Sequence, residues 1–167
     1  MKKNKILTNI QCSMHKYIFL AILILFASGV LYADDIGYKY YKKGNYAKAL
    51  EFWEKEALIG EKEAYYNIGL LYFFGQGVEK DLSLAFNYCK KAAIAGSARA
   101  QNNLSYMYLK GLGVEVNYIE AYAWSIIAMK NDYDSSGLNT ESSKHLTPAM
   151  FHEAEKLVKK YERNKYE

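Results

Sequence analysis

The stretch Ala64-Tyr-Tyr-Asn-Ile-Gly-Leu-Leu-Tyr-Phe-Phe-Gly-Gln-Gly-Val78 decides how this chain folds, because it returns 36 residues later as Ala100 to Val114. Asn67 falls on Asn103, Ile68 on Leu104, Tyr72 on Tyr108, and Val78 on Val114. Gly75 and Gly77 fall on Gly111 and Gly113. The register continues through Asp81 and Asn117, Ala85 and Ala121, Tyr88 and Trp124, and Ala92 and Ala128. A period of this length marks stacked helical units, none of which can bury its apolar face alone.

Within one copy, Ala64, Ile68, Leu71 and Tyr72 recur at helical spacing, which predicts a first helix over 62–74. Small Gly69 lets the partner helix approach closely. Gly75-Gln76-Gly77-Val78 reads as the turn, with Val78 tucked under the hairpin. Asp81 then caps a second helix from Leu82 to Ala95. The next copy repeats this through 99–110, an Asn117 cap and a helix over 118–130.

Upstream, 34–43 and 46–58 form a shorter-turned first pair over 34–61, broken at Gly44-Asn45 and closed by Gly60. The two full copies span 62–97 and 98–134. Residues 135–146 read as a loop rich in Asn, Asp, Ser and Gly. Thr147-Pro148 opens a last helix, so 147–167 is a capping segment. Its Met150, Phe151, Ala154, Leu157, Val158 and Tyr161 form an apolar stripe, opposite Glu153, Lys156, Lys159 and Lys160. The expected fold is all-α: an α/α solenoid of about three antiparallel helix pairs plus a C-terminal cap.

Of 22 basic residues, Lys2, Lys3, Lys5 and Lys16 lie in 1–33, which holds no acid, leaving 18 of each sign for the rest. A neutral remainder argues against nucleic acid, which is held by a basic surface. Residues 1–33 read as a signal peptide: a basic start, an uncharged run over Tyr17–Ala33, and small Ala33 before Asp34-Asp35. Cleavage near Ala33 makes the folded part periplasmic or secreted. The alternative is an uncleaved inner-membrane anchor, since the run is just short of the ~20 residues of a membrane span. Cys12 precedes the run, so after cleavage Cys89 stands alone and no intrachain disulfide forms.

The motif of 64–78, with Asp81, Ala85, Tyr88, Lys91, Ala92, Ala93 and Gly96, resembles the Sel-one-like repeat (SLR). The second copy departs from it at Ser105, in place of the small glycine, and at Asp132. The first pair, with Ile36, Gly37, Tyr40, Gly44, Tyr46, Ala49 and Trp53, resembles the related tetratricopeptide repeat. Ala121-Tyr-Ala-Trp124 and the following Leu146-Thr-Pro helix resemble the ends of short exported bacterial SLR proteins.

The resemblance implies a right-handed α/α superhelix, a scaffold that binds a protein or peptide on its concave side, lined by the first helix of each pair. The first pair offers Tyr38 and Tyr41. The second offers Glu63, Tyr66, Leu70, Phe73 and Phe74, and the third Arg99, Asn102, Tyr106, Leu109 and Lys110. Such an aromatic set with charged edges suits a peptide or helix laid in a groove.

No catalytic constellation accompanies it, and no cofactor or metal site is expected. His145 and His152 are seven apart, and His152-Glu153 has no second His four residues on. Cys89 falls on the buried side of its helix, far in sequence from any His, and reads as a core thiol. Some cysteine-rich family members carry β-lactamase labels. Here the lone Ser-x-x-Lys, Ser13–Lys16, lies in the leader, and no Lys-Thr-Gly follows. The reading is a non-enzymatic adaptor, with a β-lactamase-like hydrolase or a membrane-tethered assembly subunit as alternatives.

Overall fold

The computed structural model of the protein describes residues 36–164. The leader, Asp34-Asp35 and 165–167 lie outside them. The described helices are α1 (36–42), α2 (Tyr46–Leu58), α3 (Lys62–Phe74), α4 (Leu82–Ile94), α5 (Ala98–Lys110), α6 (Tyr118–Lys130), α7 (Ser136–Ser143) and α8 (Pro148–Asn164). No described helix is long and apolar enough to cross a membrane.

The 36-residue period is visible in the backbone: α2, α4 and α6 each have 13 residues and begin at 46, 82 and 118. Each starts from a capping side chain in the same register. Asn45 accepts from the Lys48 N–H (3.3 Å), Asp81 from Leu84 (2.8 Å) and Asn117 from Glu120 (3.0 Å). Such a cap is worth about 1 kcal/mol. The first pair is joined by three residues, 43–45, whereas 75–81 joins the second; the shortening shifts α1 and leaves the second helices in phase.

Packing couples α3 to α4, α5 to α6, and α4 to α5. A smaller core under the first pair holds Ala49, Trp53, Ala64, Ile68 and Leu71, with Val78 packed against it as expected. The larger core runs from Ala85 to Val158.

Close approach within each pair depends on one position. A Cβ on Gly69 would lie 3.3 Å from the Ala85 carbonyl oxygen. In the next pair Ser105 stands in this place, and its Oγ donates to the carbonyl of Ala121, the register mate of Ala85, at 2.7 Å. The serine fits by turning a steric contact into a hydrogen bond, which satisfies a hydroxyl buried completely.

Residues 135–146 differ from the sequence reading. They hold α7, a helix of weak intrinsic propensity stabilised by tertiary contacts. Asn139 Nδ2 donates to Ser125 Oγ (3.0 Å), Ser135 Oγ donates to Asn102 Oδ1 (2.9 Å), and Leu138 packs on the larger core. Asp132 occupies the left-handed region (φ 61°) that Gly96 occupies one repeat earlier, a conformation aspartate tolerates better than most residues.

Helix α8 lays Ala154 and Val158 onto the stack and turns Glu153, Lys156, Lys159 and Lys160 to water. Its Tyr161 ring packs on Trp124 (4.4 Å), and its hydroxyl donates to Glu120 Oε1 (3.2 Å). Burial and the Glu120 carboxylate push the Tyr161 phenol up, and the same two causes push Tyr108 up to about 12.

Two outcomes follow from this packing. Gly44 and Gly113 both have φ near +72°, but an added Cβ meets nothing within 4 Å at Gly44 and lies 2.0 Å from the Leu82 carbonyl oxygen at Gly113. Gly44→Ala is expected to cost about 1 kcal/mol of backbone strain. Gly113→Ala is expected to cost at least about 2 kcal/mol more, read by urea unfolding. Phenols whose folded pKa is raised hold their protons after the unfolded chain has lost them. Stability is therefore expected to fall as pH rises above about 10, the ordinary tyrosine value. Thermal melts of Tyr108→Phe and Tyr161→Phe between pH 9 and 11.5 should show a shallower decline than the parent.

Candidate functional site

Helices α3 and α5 lie side by side in front of α4 and leave a groove of about 210 Å³. Its floor is made of small buried residues: Gly69 on α3, and Ala85 and Cys89 on α4. Tyr66, Leu70 and Phe73 wall one side; Tyr106 and Met107 wall the other. Phe74 (59% exposed) and Tyr106 (42%) stand at the rim, so apolar surface faces water there. Gly69, whose missing side chain lets α3 and α4 approach closely, also lines the groove.

Polar groups fix one wall. Asn103 Nδ2 donates to the Tyr66 hydroxyl (3.2 Å), and the Arg99 guanidinium lies 5.2 Å from the Tyr66 ring centre. Arg99 also pairs with Glu63. The pair is partly exposed and worth at most about 1 kcal/mol. Burial raises the Tyr66 phenol pKa, so the hydroxyl stays neutral at physiological pH.

Of the residues expected on the concave side, Tyr66, Leu70, Phe73, Phe74 and Tyr106 come together in this groove, with Glu63 and Arg99 paired at its edge. The others do not. Leu109 is 6% exposed and belongs to the larger core, which corrects its placement on the open face. The physical reason is α7, which packs across α5 and α6 where a loop was expected. Asn102 is tied by Ser135 to the segment entering α7. Lys110 is exposed but outside the groove lining. Tyr41 is occupied by the smaller core: its ring packs on Tyr46 and Trp53, and its hydroxyl donates to Gln76 Oε1 (3.1 Å). Tyr38 is half exposed and stacks on Tyr41, away from the groove lining.

Sequence reasoning missed Met107, Asn103 and the floor. Gly69 and Cys89 were legible only as packing residues; their shared smallness across facing helices was the signal for a depression.

The site offers shape and apolar contact. Burial pushes the Cys89 thiol up to about 12, and its Sγ donates to the Ala100 carbonyl (3.3 Å), so it is no thiolate at neutral pH. His145 stacks on Tyr118 (4.0 Å) and His152 is exposed on α8. Among the described residues no group of three or more His, Cys, Asp or Glu is placed to hold a metal ion. A wider cleft of about 400 Å³ lies where α8 crosses α6, bridged by Lys130 and Glu162 at 2.6 Å.

Comparison with known proteins agrees with this architecture. The family described as Sel1 repeat matches residues 62–97 and 98–133. The chain is 32% identical over 82 residues to a "Putative beta-lactamase HcpC" of Helicobacter pylori, covering 46% of this chain and 28% of that protein. It is 45% identical over 53 residues to the "ERAD-associated E3 ubiquitin-protein ligase component HRD3" of Candida glabrata, covering 32% of this chain and 6% of that one. The chain thus spans under a third of either relative. Among solved structures it is similar to c5321, a protective antigen of uropathogenic Escherichia coli displaying an SLR fold. The TM-score is 0.73 at 34% identity, over 79% of this chain and 29% of that one. A Sel1 repeat protein from Oxalobacter formigenes gives 0.57 at 31% identity, over 59% and 42% of the two chains. The helix pairs in 36-residue register, the matched repeats and the shared solenoid identify residues 62–133 as two Sel1 repeats.

Proposed function

We propose that the chain is a non-enzymatic interaction scaffold that seats an apolar side chain of a protein or peptide partner in the groove between α3 and α5. The observation that carries this is a floor of small residues under an exposed aromatic rim. A depression of about 210 Å³ takes one or two bulky side chains, and such pockets concentrate binding energy when filled and sealed from water. The HRD3 relative, by its name a component of a larger ligase, supports a role in holding partners. The basic start and uncharged run of 1–33 support export, with the adaptor working in the periplasm or outside the cell.

Photo-crosslinking in the native cell tests the reading, with a probe at Leu70 and a control probe at Lys80, exposed in the turn before α4. A discrete protein adduct is expected from Leu70 and not from Lys80, reduced at least tenfold by Tyr106→Ala. Equal adducts from both positions, or none, would remove the groove as a binding site. Mass spectrometry of the recovered chain should find Asp34 first; Met1 first would mean the leader is retained.

The HcpC label raises hydrolysis of β-lactams as a second reading. The purified chain is expected to leave a chromogenic cephalosporin unhydrolysed above the buffer rate, and turnover that survives further purification would overturn the non-enzymatic assignment.

A further inference from the structure

Charge is spread unevenly along the solenoid. Residues 36–50 contain Lys39, Lys42, Lys43 and Lys48 and no acidic residue, although the chain after the leader is balanced in sign. All four lysines are exposed. Among the described residues none of them forms an ion pair. Lys55, about two turns further along α2 than Lys48, pairs with Glu51 at 2.6 Å and lowers its carboxyl pKa, and Lys48 adds to that lowering.

The lysines are interleaved with aromatic rings. Lys42 Nζ lies 4.8 Å from the Tyr38 ring centre, and Lys48 Nζ lies 5.3 Å from that of Tyr40. Tyr38 itself is 50% exposed, on the face of α1 that also carries Lys39 and Lys42. Tyrosine with lysine is the pairing that settles at a membrane–water boundary: the ring sits at headgroup depth and the ammonium meets phosphate. The position in the chain favours this partner over an acidic protein. Until the leader is cleaved, the uncharged run Tyr17–Ala33 ends five residues before Tyr38, and five residues reach at most about 18 Å, so a membrane is the first surface α1 meets. Asp34 and Asp35 in that connection oppose an anionic surface, but four lysines outweigh them.

We infer that α1 and the start of α2 form a docking surface for an anionic membrane, with Tyr38 at headgroup depth and Lys39, Lys42 and Lys43 on lipid phosphates. The surface lies at the opposite end of the stack from α8, and it does not depend on what the α3–α5 groove holds.

Flotation of the chain from Asp34 onward with vesicles tests this, comparing pure phosphatidylcholine with phosphatidylcholine containing phosphatidylglycerol. Apolar contact binds both alike, so the readout is the excess binding to the charged vesicles. Each lysine near an anionic surface contributes about fivefold in partitioning. The variant Lys39→Gln/Lys42→Gln/Lys43→Gln is therefore expected to lose most of an excess on the order of a hundredfold, as is the parent in high salt. Circular dichroism melts of the variant confirm that it folds. Substituting Lys156, Lys159 and Lys160 on α8 by Gln should leave the excess intact. No excess in the parent would overturn the proposal. So would an excess that survives the α1 variant, which would then belong to lysines elsewhere on the stack, and so would equal losses from both triple variants, which would reduce the effect to net charge.

Discussion

The contact on which the rest of the structure depends is the close crossing of the two helices within a pair, set by Gly69 against Ala85 and by Ser105 against Ala121. Helices this close leave little room to slide, so each pair becomes a rigid unit and the next is placed in fixed phase. The 36-residue offset between the Asn45, Asp81 and Asn117 caps is the readout of that phase. The turn glycines serve the same end. Gly113 lies so near the Leu82 carbonyl that one pair nests against the next through backbone alone. Stability in an array of this kind is a sum of unit and nearest-neighbour terms, so a side chain at either place weakens both.

The groove is a by-product of the same constraint. Small side chains at Gly69, Ala85 and Cys89 bring the α3–α4 backbones together and leave a hollow on the side facing α5. In the third pair Ser105 stands in the glycine's place and bonds to Ala121, and α7 packs against α5 and α6. One departure from the repeat, serine for glycine, and one added element thus make the surface of the third pair unlike that of the second.

Most of the fold was legible in the chain because the period imposes it. Helix boundaries at 46–58, 62–74 and 118–130 follow from glycine turns, capping residues and helical spacing. Residues 136–143 were not legible, because nothing in Ser-Gly-Leu-Asn-Thr-Glu-Ser-Ser favours helix locally. Their order comes from Ser125 and Asn102, far off in sequence. That one omission explains the misplacement of Leu109, since exposure on a solenoid face is a property of what lies over it. The groove was half legible: its aromatic walls stand out at helical spacing, but its floor is written in residues whose signal is the absence of volume.

A groove of about 210 Å³ limits what binding through it can achieve. Room for one or two side chains is far less contact than the roughly 1,600 Å² of a standard stable interface. On the proposed reading, affinity through the groove alone is modest and dissociation fast. A second, independent attachment changes this without any new contact in the groove. An end of the stack confined to a surface raises the effective concentration of the groove toward anything on the same surface, and linked weak contacts gain by this route rather than by area. On the proposed reading, a short solenoid with a basic, aromatic end and an apolar pocket suits a partner held nearby rather than one captured from dilute solution.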